Sequence, residues 1–476
     1  MSMNRFLGAY NEEDLSLFTD FYELTMCAAY FGNKNFAPAT FDLFVRRLPE
    51  NRSYLLFTGL EQILLYLQSI KFTERHLAYL KQQGFAKSFL DYLRDFKFTG
   101  DVWAVPEGTI VFPNEPLVRI TAPIIEAQIV ETFLLNTVNL QTTMSTKASR
   151  VIHAAQGRTV IEFGLRREHG VDAGMKVARS SYIAGCRGTS NVLAGMIYDI
   201  PVFGTMAHSF IMTYPREIDA FRAFTKTFPE KTTLLIDTYD DLSGLEKAVI
   251  VAKELETKGL QLSGVRLDSG DLTANSKKIR QILDANGLEY VKIFVSGDLD
   301  EFRISELISK GAPIDSFGVG TKMGTSSDRP YLDIIYKPCE TLSASGAYVP
   351  VMKLSPDKFT LPGRKQVYRC KDSKGNYVQD VIALSSEKKI TMTENVTEIE
   401  SLLVNVMSKG ELVYSFPSLN QIRTFASENS SKLSEKYQTI TNAETYPVKL
   451  SPKLHKLVEF LREKIITTEV ANYSHA

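Results

Sequence analysis

The sequence has few cysteines, no excess of either charge and no long apolar run. Its 476 residues include four cysteines, and no two of these are close enough to form a C-x-x-C metal site. Lysine plus arginine and aspartate plus glutamate both number 55, so the surface has no field that would gather nucleic acid. These features exclude a disulfide-rich secreted scaffold and argue against a nucleic-acid partner.

Membrane and export segments are missing from the sequence as well. Three acidic residues, Glu12, Glu13 and Asp14, stand where a signal peptide needs an apolar core. No apolar run reaches the roughly 20 residues that cross a bilayer. We therefore predict a soluble, cytoplasmic protein with no membrane partner. Because 44% of its residues are apolar, the chain can bury at least one large core.

Three zones of the chain differ in their hydrophobic pattern. Residues 1–140 mix strand and helix patterns, including a predicted helix over Tyr54–Ile70. Residues 141–335 alternate short β-branched runs with amphipathic helices, which predicts parallel strands joined by right-handed crossovers. Residues 336–476 return to antiparallel patterns and end in a helix, and we expect them to pack on the first zone. The predicted fold class is α/β.

Polar or glycine residues follow each predicted strand of the central zone. In parallel α/β folds, ligands bind at the carboxyl ends of the strands. One such end would be ordinary turn chemistry, but six at equivalent positions predict a single shared site. The six ends carry Gly164–Arg167, Ala207–Ser209, Asp237–Asp240, Asp268–Asp271, Ser296–Asp298 and Gly318–Thr321.

The last two strand ends have the composition of a phosphate site. Small residues let the backbone approach an anion, and the following helix offers free N–H groups at its positive end. Phosphate sites built from the last loops of a barrel are recurrent. The alternative is that the glycines only permit tight turns. The predicted phosphate-binding residues are Ser296, Gly297, Asp298, Gly318, Gly320 and Thr321.

Arginines also lie at the strand ends. Arg166 and Arg167 follow one strand, and Arg266 lies near the end of another. Arginine in such places is costly to desolvate unless it meets a carboxylate or a phosphate. We favour ligand contact for Arg166 and Arg266, and the alternative is an internal salt bridge with Asp237 or Asp268.

His208 lies at a strand end among small and hydroxyl residues, which makes it a candidate acid, base or nucleophile. The alternative is a structural histidine whose ring is fully hydrogen-bonded. Asp237, which ends the next strand, could hold the imidazole in one tautomer. We therefore predict catalytic roles for both residues.

Several aspartates gather at the same strand ends, but their spacing fits no dedicated Zn²⁺ or Ca²⁺ loop. We predict no metal site made by the protein alone. We expect Mg²⁺ held mainly by a bound diphosphate, with one or two carboxylates behind it. The aspartates concerned are Asp237, Asp240, Asp268, Asp271 and Asp298.

Short motifs occur in one order along nearly the whole chain, and as an ordered set they are highly specific. They are FTDFYELTM, EFGLRREHG, GTSNVLAG, PVFGTMAHSF, VRLDSGDL, VSGDLDE, FGVGTKM and YPVKLSP. This set resembles the nicotinate phosphoribosyltransferase family. The resemblance implies the fold of type II phosphoribosyltransferases, an irregular α/β barrel beside an open-faced β-sandwich (α+β) domain formed by both chain ends.

The resemblance also implies a reaction and an assembly. Nicotinate and phosphoribosyl pyrophosphate would give nicotinate mononucleotide and pyrophosphate, in NAD salvage. ATP hydrolysis would be coupled to this reaction through a phosphorylated histidine, and His208 stands at that position. The family is usually dimeric, with the N-terminal tyrosine motif reaching into the neighbour's site. Here that motif supplies Tyr22.

The same resemblance assigns contacts to the substrate. The pyridine ring would stack between Phe163 and Tyr22. Arg166, Arg266 or Thr205 would meet the carboxylate or the sugar phosphate. The remaining assignments are a catalytic role for Asp268, which would hold the ribose hydroxyls, and phosphate binding by the two glycine loops.

Ser190 bears on the choice of base. The related nicotinamide enzymes carry an aspartate at this position, which would hydrogen-bond an amide and repel a carboxylate. Ser190 therefore favours the acid substrate. Some relatives also carry a C-terminal cysteine-rich metal site, but Cys339 and Cys370 stand alone here, so we predict no structural zinc.

Three other functions are compatible with parts of the sequence. The first is a nicotinamide- or quinolinate-using phosphoribosyltransferase, and the second is a non-catalytic paralogue that binds metabolites. The third is an unrelated barrel enzyme acting on sugar phosphates, such as an aldolase. It would need a strand-end lysine for a Schiff base, but Lys176 and Lys322 follow their loops.

Overall fold

A computed structural model describes residues 12–355, 358–387, 390 and 395–470. The chain forms two compact units. The first, called the terminal unit, contains the described residues up to Thr142, Tyr331–Thr439 and those from Ala443 onward. The second, called the central unit, contains Thr143–Pro330 and Ile440–Asn442. Strands and helices are numbered below in chain order.

The N-terminal part of the chain opens with a 3₁₀ helix at Glu12–Leu17. The helix predicted over Tyr54–Ile70 is shorter than expected. It begins only at Leu60, because Gly59 turns the chain with φ at 111°, a value that favours glycine. The strands are β1 (Pro38–Val45), β2 (Leu55–Leu56), β3 (Asp101–Ala104), β4 (Ile110–Val111) and β5 (Val118–Pro123). The helices are α1 (Phe21–Gly32), α2 (Leu60–Ser69), α3 (Glu74–Gln82), α4 (Lys87–Arg94), α5 (Ile124–Ile129) and α6 (Glu131–Ala154).

The central part of the chain alternates strands with helices, as predicted. A 3₁₀ turn at Leu165–Arg167 follows the first strand. The strands are β6 (Thr159–Glu162), β7 (Thr233–Leu235), β8 (Gly264–Leu267), β9 (Lys292–Val295) and β10 (Ser316–Val319). The helices are α7 (Val171–Ile183), α8 (Val192–Tyr198), α9 (His208–Met212), α10 (Glu217–Thr227), α11 (Asp241–Glu256), α12 (Leu272–Ala285), α13 (Glu301–Ser309) and α14 (Thr321–Gly324).

The C-terminal part of the chain is mostly strand, with two helices near its end. A 3₁₀ turn at Glu435–Tyr437 and a π-helical turn at Ile466–Val470 complete it. The strands are β11 (Ile334–Leu342), β12 (Tyr348–Pro350), β13 (Lys365–Lys371), β14 (Tyr377–Leu384), β15 (Glu398–Ser401), β16 (Val404–Ser408), β17 (Glu411–Leu412) and β18 (Val448–Leu450). The helices are α15 (Leu419–Lys432) and α16 (Pro452–Ile465).

Both chain ends supply strands to the sheets of the terminal unit. A seven-stranded sheet has the order β12-β11-β1-β5-β3-β16-β17, in which β1 pairs antiparallel with β11 and with β5. A four-stranded sheet has the order β15-β13-β14-β18, and its β13–β14 hairpin pairs Lys365 with Leu384. Strands β2 and β4 form a separate pair. The largest sheet therefore depends on residues about 300 positions apart, such as Thr40 and Glu340.

The central unit is built on a parallel sheet with the order β6-β10-β9-β8-β7. Two isolated parallel bridges, Glu162 with Thr189 and Thr189 with Val202, extend it beyond β6. The run PVFGTM, expected to be a full strand, makes only the bridge at Val202. Because all these segments are parallel, their carboxyl ends lie at one edge of the sheet. The predicted α/β class is confirmed.

The core of the central unit explains why the strands lie where they do. Each strand places an apolar side chain in one buried cluster, which also takes Leu245 from α11 and Ile279 from α12. The strand residues of this core include Val160, Leu234, Val265, Ile293 and Phe317.

Among the described residues, no helix has both the length and the apolar composition that a membrane span requires.

Candidate active site

A cavity of about 670 Å³ lies at the carboxyl edge of the parallel sheet. Residues from the ends of β6, β8, β9 and β10 line it, together with those after the bridges at Thr189 and Val202. All predicted site residues line this cavity except Tyr22, His208 and Asp237. The predicted residues that the structure brings together are Phe163, Arg166, Ser190, Thr205, Arg266, Asp268, Ser296, Gly297, Asp298, Gly318, Gly320 and Thr321.

Arg266 is the centre of the hydrogen-bond network in the cavity wall. Its Nε donates to Ser296 Oγ at 2.8 Å, and its Nη2 donates to Asp268 Oδ1 at 2.8 Å. Its Nη1 donates to Thr205 Oγ1 at 3.2 Å and to the Met206 carbonyl oxygen at 3.3 Å. Arg266 therefore forms an internal salt bridge with Asp268, which is the alternative to ligand contact. The guanidinium still lines the cavity, so both interpretations apply to it.

Asp268 is the ionised carboxylate of this network. Burial alone would raise the pKa of its carboxyl, but the Ser296 hydroxyl and the Arg266 guanidinium outweigh that effect and hold the pKa below its usual range. The side chain keeps 28% of its surface exposed. A negative charge therefore faces the cavity at neutral pH.

His208 begins α9 and lies beside Asp268. Its Nδ1 is 3.2 Å from Thr238 Oγ1, and its Nε2 is 3.9 Å from Asp268 Oδ2. Asp237 does not orient this imidazole, contrary to expectation. Its Oδ2 accepts instead from the Asp268 N–H at 2.8 Å and from the Ser269 hydroxyl at 2.6 Å. Asp237 therefore positions the loop after β8, and Thr238 is the residue that contacts the histidine.

The glycine loops are close-packed against the rest of the site. Gly297 has φ at 91°, and a Cβ there would overlap the backbone carbonyl of Asp268. A Cβ on Gly318 would lie 2.8 Å from the Phe163 ring. Packing therefore requires both glycines, whether or not a ligand does. Because α14 has only four residues, beginning at Thr321, its dipole is weaker than the helix expected there.

Lys322 lies beside the cavity, although the sequence motifs did not predict it as a site residue. Its Nζ lies 3.0 Å from Asp298 Oδ2 and 3.5 Å from Asp300 Oδ2. Burial would lower the pKa of Lys322, but the two aspartates raise it. Its position directly after the predicted phosphate residue Thr321 could have indicated it.

The aspartates at the strand ends serve different purposes. Asp240 caps α11, since its side chain accepts from the Ser243 N–H at 2.8 Å, and Asp271 caps α12. These two carboxylates stabilise helix starts and are engaged there. Within the described ranges, no group of three or more metal-ligating side chains is placed to hold an ion.

Two arginines reach the cavity from the 3₁₀ turn after β6. Arg166 and Arg167 are exposed, and neither has an ion-pair partner among the described residues. Phe163, just before the turn, lies 5.6 Å from the Phe294 ring and 5.8 Å from the Arg266 guanidinium, measured to ring centroids. The cavity thus has a flat aromatic wall with cations around it.

Tyr22 belongs to α1 in the terminal unit, and about half of its side chain is exposed. Its hydroxyl donates to Glu131 Oε1 at 3.5 Å. Ser190, in the central unit, donates its N–H to the Glu162 carbonyl oxygen at 2.9 Å. That bond fixes Ser190 beside the end of β6.

A parallel sheet whose strand-end loops enclose arginines, close-packed glycines and an ionised carboxylate defines an α/β enzyme with a site for an anionic ligand. Family models for nicotinate phosphoribosyltransferase match three parts of the chain. The N-terminal domain matches residues 17–139, the family model itself matches 159–376, and the C-terminal domain matches 395–458. The chain belongs to the nicotinate phosphoribosyltransferase family, as the motifs predicted.

Individual relatives agree with this assignment. A nicotinate phosphoribosyltransferase of Mycobacterium tuberculosis is 44% identical over 442 residues, covering 92% of both chains. That of Bacillus subtilis is 41% identical and covers 93% of this chain and 94% of its own. The crystal structure of human nicotinic acid phosphoribosyltransferase is 28% identical, with a TM-score of 0.83 over 93% of this chain and 99% of that one.

Proposed function

We propose that this protein transfers the phosphoribosyl group of phosphoribosyl pyrophosphate to the ring nitrogen of nicotinate, giving nicotinate mononucleotide and pyrophosphate. The observation that carries this proposal is the composition of one cavity. An aromatic wall, an ionised carboxylate and three arginines line it together, in a chain of this family. These groups suit a flat anionic base, a ribose and a diphosphate, respectively.

The base would lie on Phe163. Arg266 is 5.8 Å from the centroid of that ring, so a pyridine stacked there could direct its carboxylate at the guanidinium. Aromatic stacking adds about 0.5–1.5 kcal/mol beyond area burial. Ser190 lines the same cavity and adds no negative charge, which favours the acid over the amide.

The sugar and diphosphate would take the rest of the cavity. Asp268 would hold the ribose hydroxyls and offset the positive charge that builds on the ribose. Arg166 and Arg167 would meet phosphate, because they have no ion-pair partner among the described residues. The loops at Gly297 and Gly320 would hold the 5′-phosphate through backbone N–H groups.

The reaction needs positioning more than covalent help. The ring nitrogen forms a bond to the anomeric carbon, while the bond from that carbon to pyrophosphate breaks and its electron pair leaves with pyrophosphate. Fixed charges at Asp268 and the arginines would stabilise both ends of this displacement. Mg²⁺ bound with the diphosphate would neutralise part of the leaving group's charge.

ATP would be a co-substrate that acts through His208. Thr238 contacts Nδ1, while Nε2 lies 3.9 Å from Asp268 and the side chain is 41% exposed. Nε2 would accept the γ-phosphoryl group as ADP leaves, and water would later cleave the phosphohistidine. The added charge would lie next to Asp268, where the ribose is proposed to bind.

The family assembly is proposed as well: an irregular barrel in the central unit, an open-faced β-sandwich in the terminal unit, and a homodimer with Tyr22 completing the neighbour's site. Four apolar residues of α8 are 42–75% exposed, and exposed apolar patches mark interfaces. They are Val192, Leu193, Met196 and Ile197. Such an enzyme would act in NAD salvage in the cytoplasm.

Product formation tests the proposal. The full-length protein is incubated with phosphoribosyl pyrophosphate and Mg²⁺ plus nicotinate, nicotinamide or quinolinate, with and without ATP, and mononucleotides are separated by chromatography. We expect product from nicotinate and stimulation by ATP. An Asp268→Asn variant is the matched control, and it should lose most of the activity. If product forms from nicotinamide or quinolinate but not from nicotinate, the enzyme uses that other base as its substrate. If no product forms with any base, the proposed function is refuted.

A further inference from the structure

Two glutamates meet behind the turn that carries Arg166 and Arg167. Glu162 ends β6, and Glu168 directly follows the turn. A Cβ on Gly164 would lie 2.6 Å from Glu168 Oε1 and 3.0 Å from Glu162 Oε1. Two carboxyl groups therefore approach each other on the side of the turn away from solvent, and both oxygens of Glu168 are buried.

The hydrogen bonds around this pair indicate which carboxyl carries a proton. Glu162 accepts from the Gly164 N–H and from the Thr189 hydroxyl, the latter at 2.6 Å. No donor of the described residues reaches either oxygen of Glu168. Because the two carboxyl groups meet beside Gly164, a single proton between them would let Glu168 donate to Glu162. Glu162 is thus the anion, and Glu168 is the acid that donates.

The electrostatics of the pair agree with this assignment. Burial, followed by the charge of Glu162 and the hydrogen bond with it, raises the pKa of Glu168 to about 9. Burial raises the pKa of Glu162 as well. At neutral pH the pair therefore keeps a single negative charge.

Among the charged groups of the described residues, only Glu162 shifts the pKa of Glu168. A Cβ on Gly174 of α7 would lie 3.2 Å from its carboxyl, and one on Gly324 of α14 would lie 2.6 Å away. Asp172 pairs with Lys176 on α7, and Lys322 on α14 pairs with Asp298. Helix α7 also carries the buried Arg179, whereas Arg166, Arg167 and His169 on the turn are exposed.

We propose that Glu168 is a positioning residue, whose protonated carboxyl bonds to Glu162 and holds the turn so that Arg166 and Arg167 face the diphosphate of the substrate. This inference rests on the proposed function. Through Thr189, the same pair also borders Ser190, so it joins the arginine turn to the base-binding side of the cavity.

When Glu168 contacts Glu162 and fixes the turn at Leu165–Arg167, the protein binds one more proton than when this contact is broken. The contact is therefore favoured below the pKa of Glu168 and is lost as the pH rises through about 9. Above that pH, two adjacent buried charges would repel each other and the turn would move away. Binding of phosphoribosyl pyrophosphate should weaken more than binding of nicotinate, because the arginines are proposed to meet phosphate.

Glu168→Gln tests this proposal, because the amide is a permanent donor of nearly the same shape. Initial rates are measured from pH 7 to pH 10 at varied phosphoribosyl pyrophosphate, with circular dichroism confirming that the protein stays folded. We expect the wild type to lose kcat/KM for this substrate above about pH 9. The Gln variant should keep its neutral activity within about threefold and lack that alkaline decline, since an amide has no proton to lose. Glu289→Gln, at an exposed glutamate before β9, should match the wild type.

Two further results separate the possible outcomes. Glutamate labelled with ¹³C at the side-chain carboxyl should show one resonance that titrates near pH 9 and is missing in the Gln variant. Glu168→Ala should raise KM for phosphoribosyl pyrophosphate about tenfold, a change of about 1.4 kcal/mol, with a smaller effect on KM for nicotinate. If the active wild type and the Gln variant share the same alkaline decline, Glu168 is not the group responsible. If the wild type forms no product, the proposed function fails instead.

Discussion

Replacing Arg266 by lysine tests the central contact network of the site. Lysine keeps the positive charge but loses the planar fork. Arg266 makes four hydrogen bonds, to Ser296, Asp268, Thr205 and the Met206 carbonyl oxygen, at 2.8–3.3 Å. An ammonium group on a different stem cannot reach all four acceptors at once. The substitution therefore removes most of these hydrogen bonds while leaving the positive charge almost unchanged.

The expected loss follows from those contacts. Hydrogen bonds that involve a charged group are worth about 1.5–3 kcal/mol each, and the retained charge offsets part of the loss. We expect a net cost of about 3 kcal/mol in transition-state stabilisation, which lowers kcat/KM for nicotinate about 100-fold. Because the Arg266 hydrogen bond helps to hold down the pKa of Asp268, its loss should also move the acid limb of the pH profile to higher pH.

The assay is steady-state kinetics at varied nicotinate and at several pH values. Arg216→Lys is the matched control, because Arg216 makes a two-bond pair with Asp219 at an exposed surface, at 2.7 Å. Exposed pairs contribute at most about 1 kcal/mol, so this variant should keep wild-type kinetics. If Arg266→Lys also stays within about threefold of the wild type, the network does not hold the base.

Three other substitutions have defined outcomes. Ser190→Asp should lower kcat/KM for nicotinate about 100-fold relative to nicotinamide, because like charges in contact cost several kcal/mol; the ratio of the two rates measures this. His208→Ala should leave the fold and the ATP-independent rate intact but abolish stimulation by ATP, so full stimulation in this variant would exclude a phosphohistidine there. Gly297→Ala should lower the free energy of unfolding by at least about 2 kcal/mol in urea titration, because its φ is 91° and its Cβ would overlap Asp268; an unchanged midpoint would contradict that packing.

The parallel sheet and its functional edge could be predicted from the sequence because their patterns are local. Short β-branched runs followed by glycine, aspartate or arginine mark a strand and its carboxyl end within about ten residues. The strands β6 to β10 occur where those runs occur, and their ends line one cavity. The run PVFGTM is an exception, because only Val202 makes a bridge and residues 203–207 form neither strand nor helix before α9.

Side-chain partners could not be predicted in the same way. Asp237 and Asp240 look equivalent in the sequence, yet Asp237 holds the loop of the next strand and Asp240 caps a helix. Thr238 contacts His208, although the order of the residues in the sequence favours its neighbour Asp237 as the partner. Which side chain points at which neighbour depends on strand order and on helix starts, and neither is encoded by spacing alone. Those details require coordinates.

The cations of the site differ in how they are held, and that difference suits two kinds of ligand. Arg266 is fixed by four acceptors of the protein, so it presents one orientation to a small rigid ring. Arg166 and Arg167 have no ion-pair partner among the described residues and stand on a three-residue turn. A diphosphate has many acceptor oxygens and departs during the reaction, so it needs cations that can follow it. Control of those two arginines therefore falls to the backbone of the turn, and the buried carboxyl of Glu168 is the side chain placed to supply it.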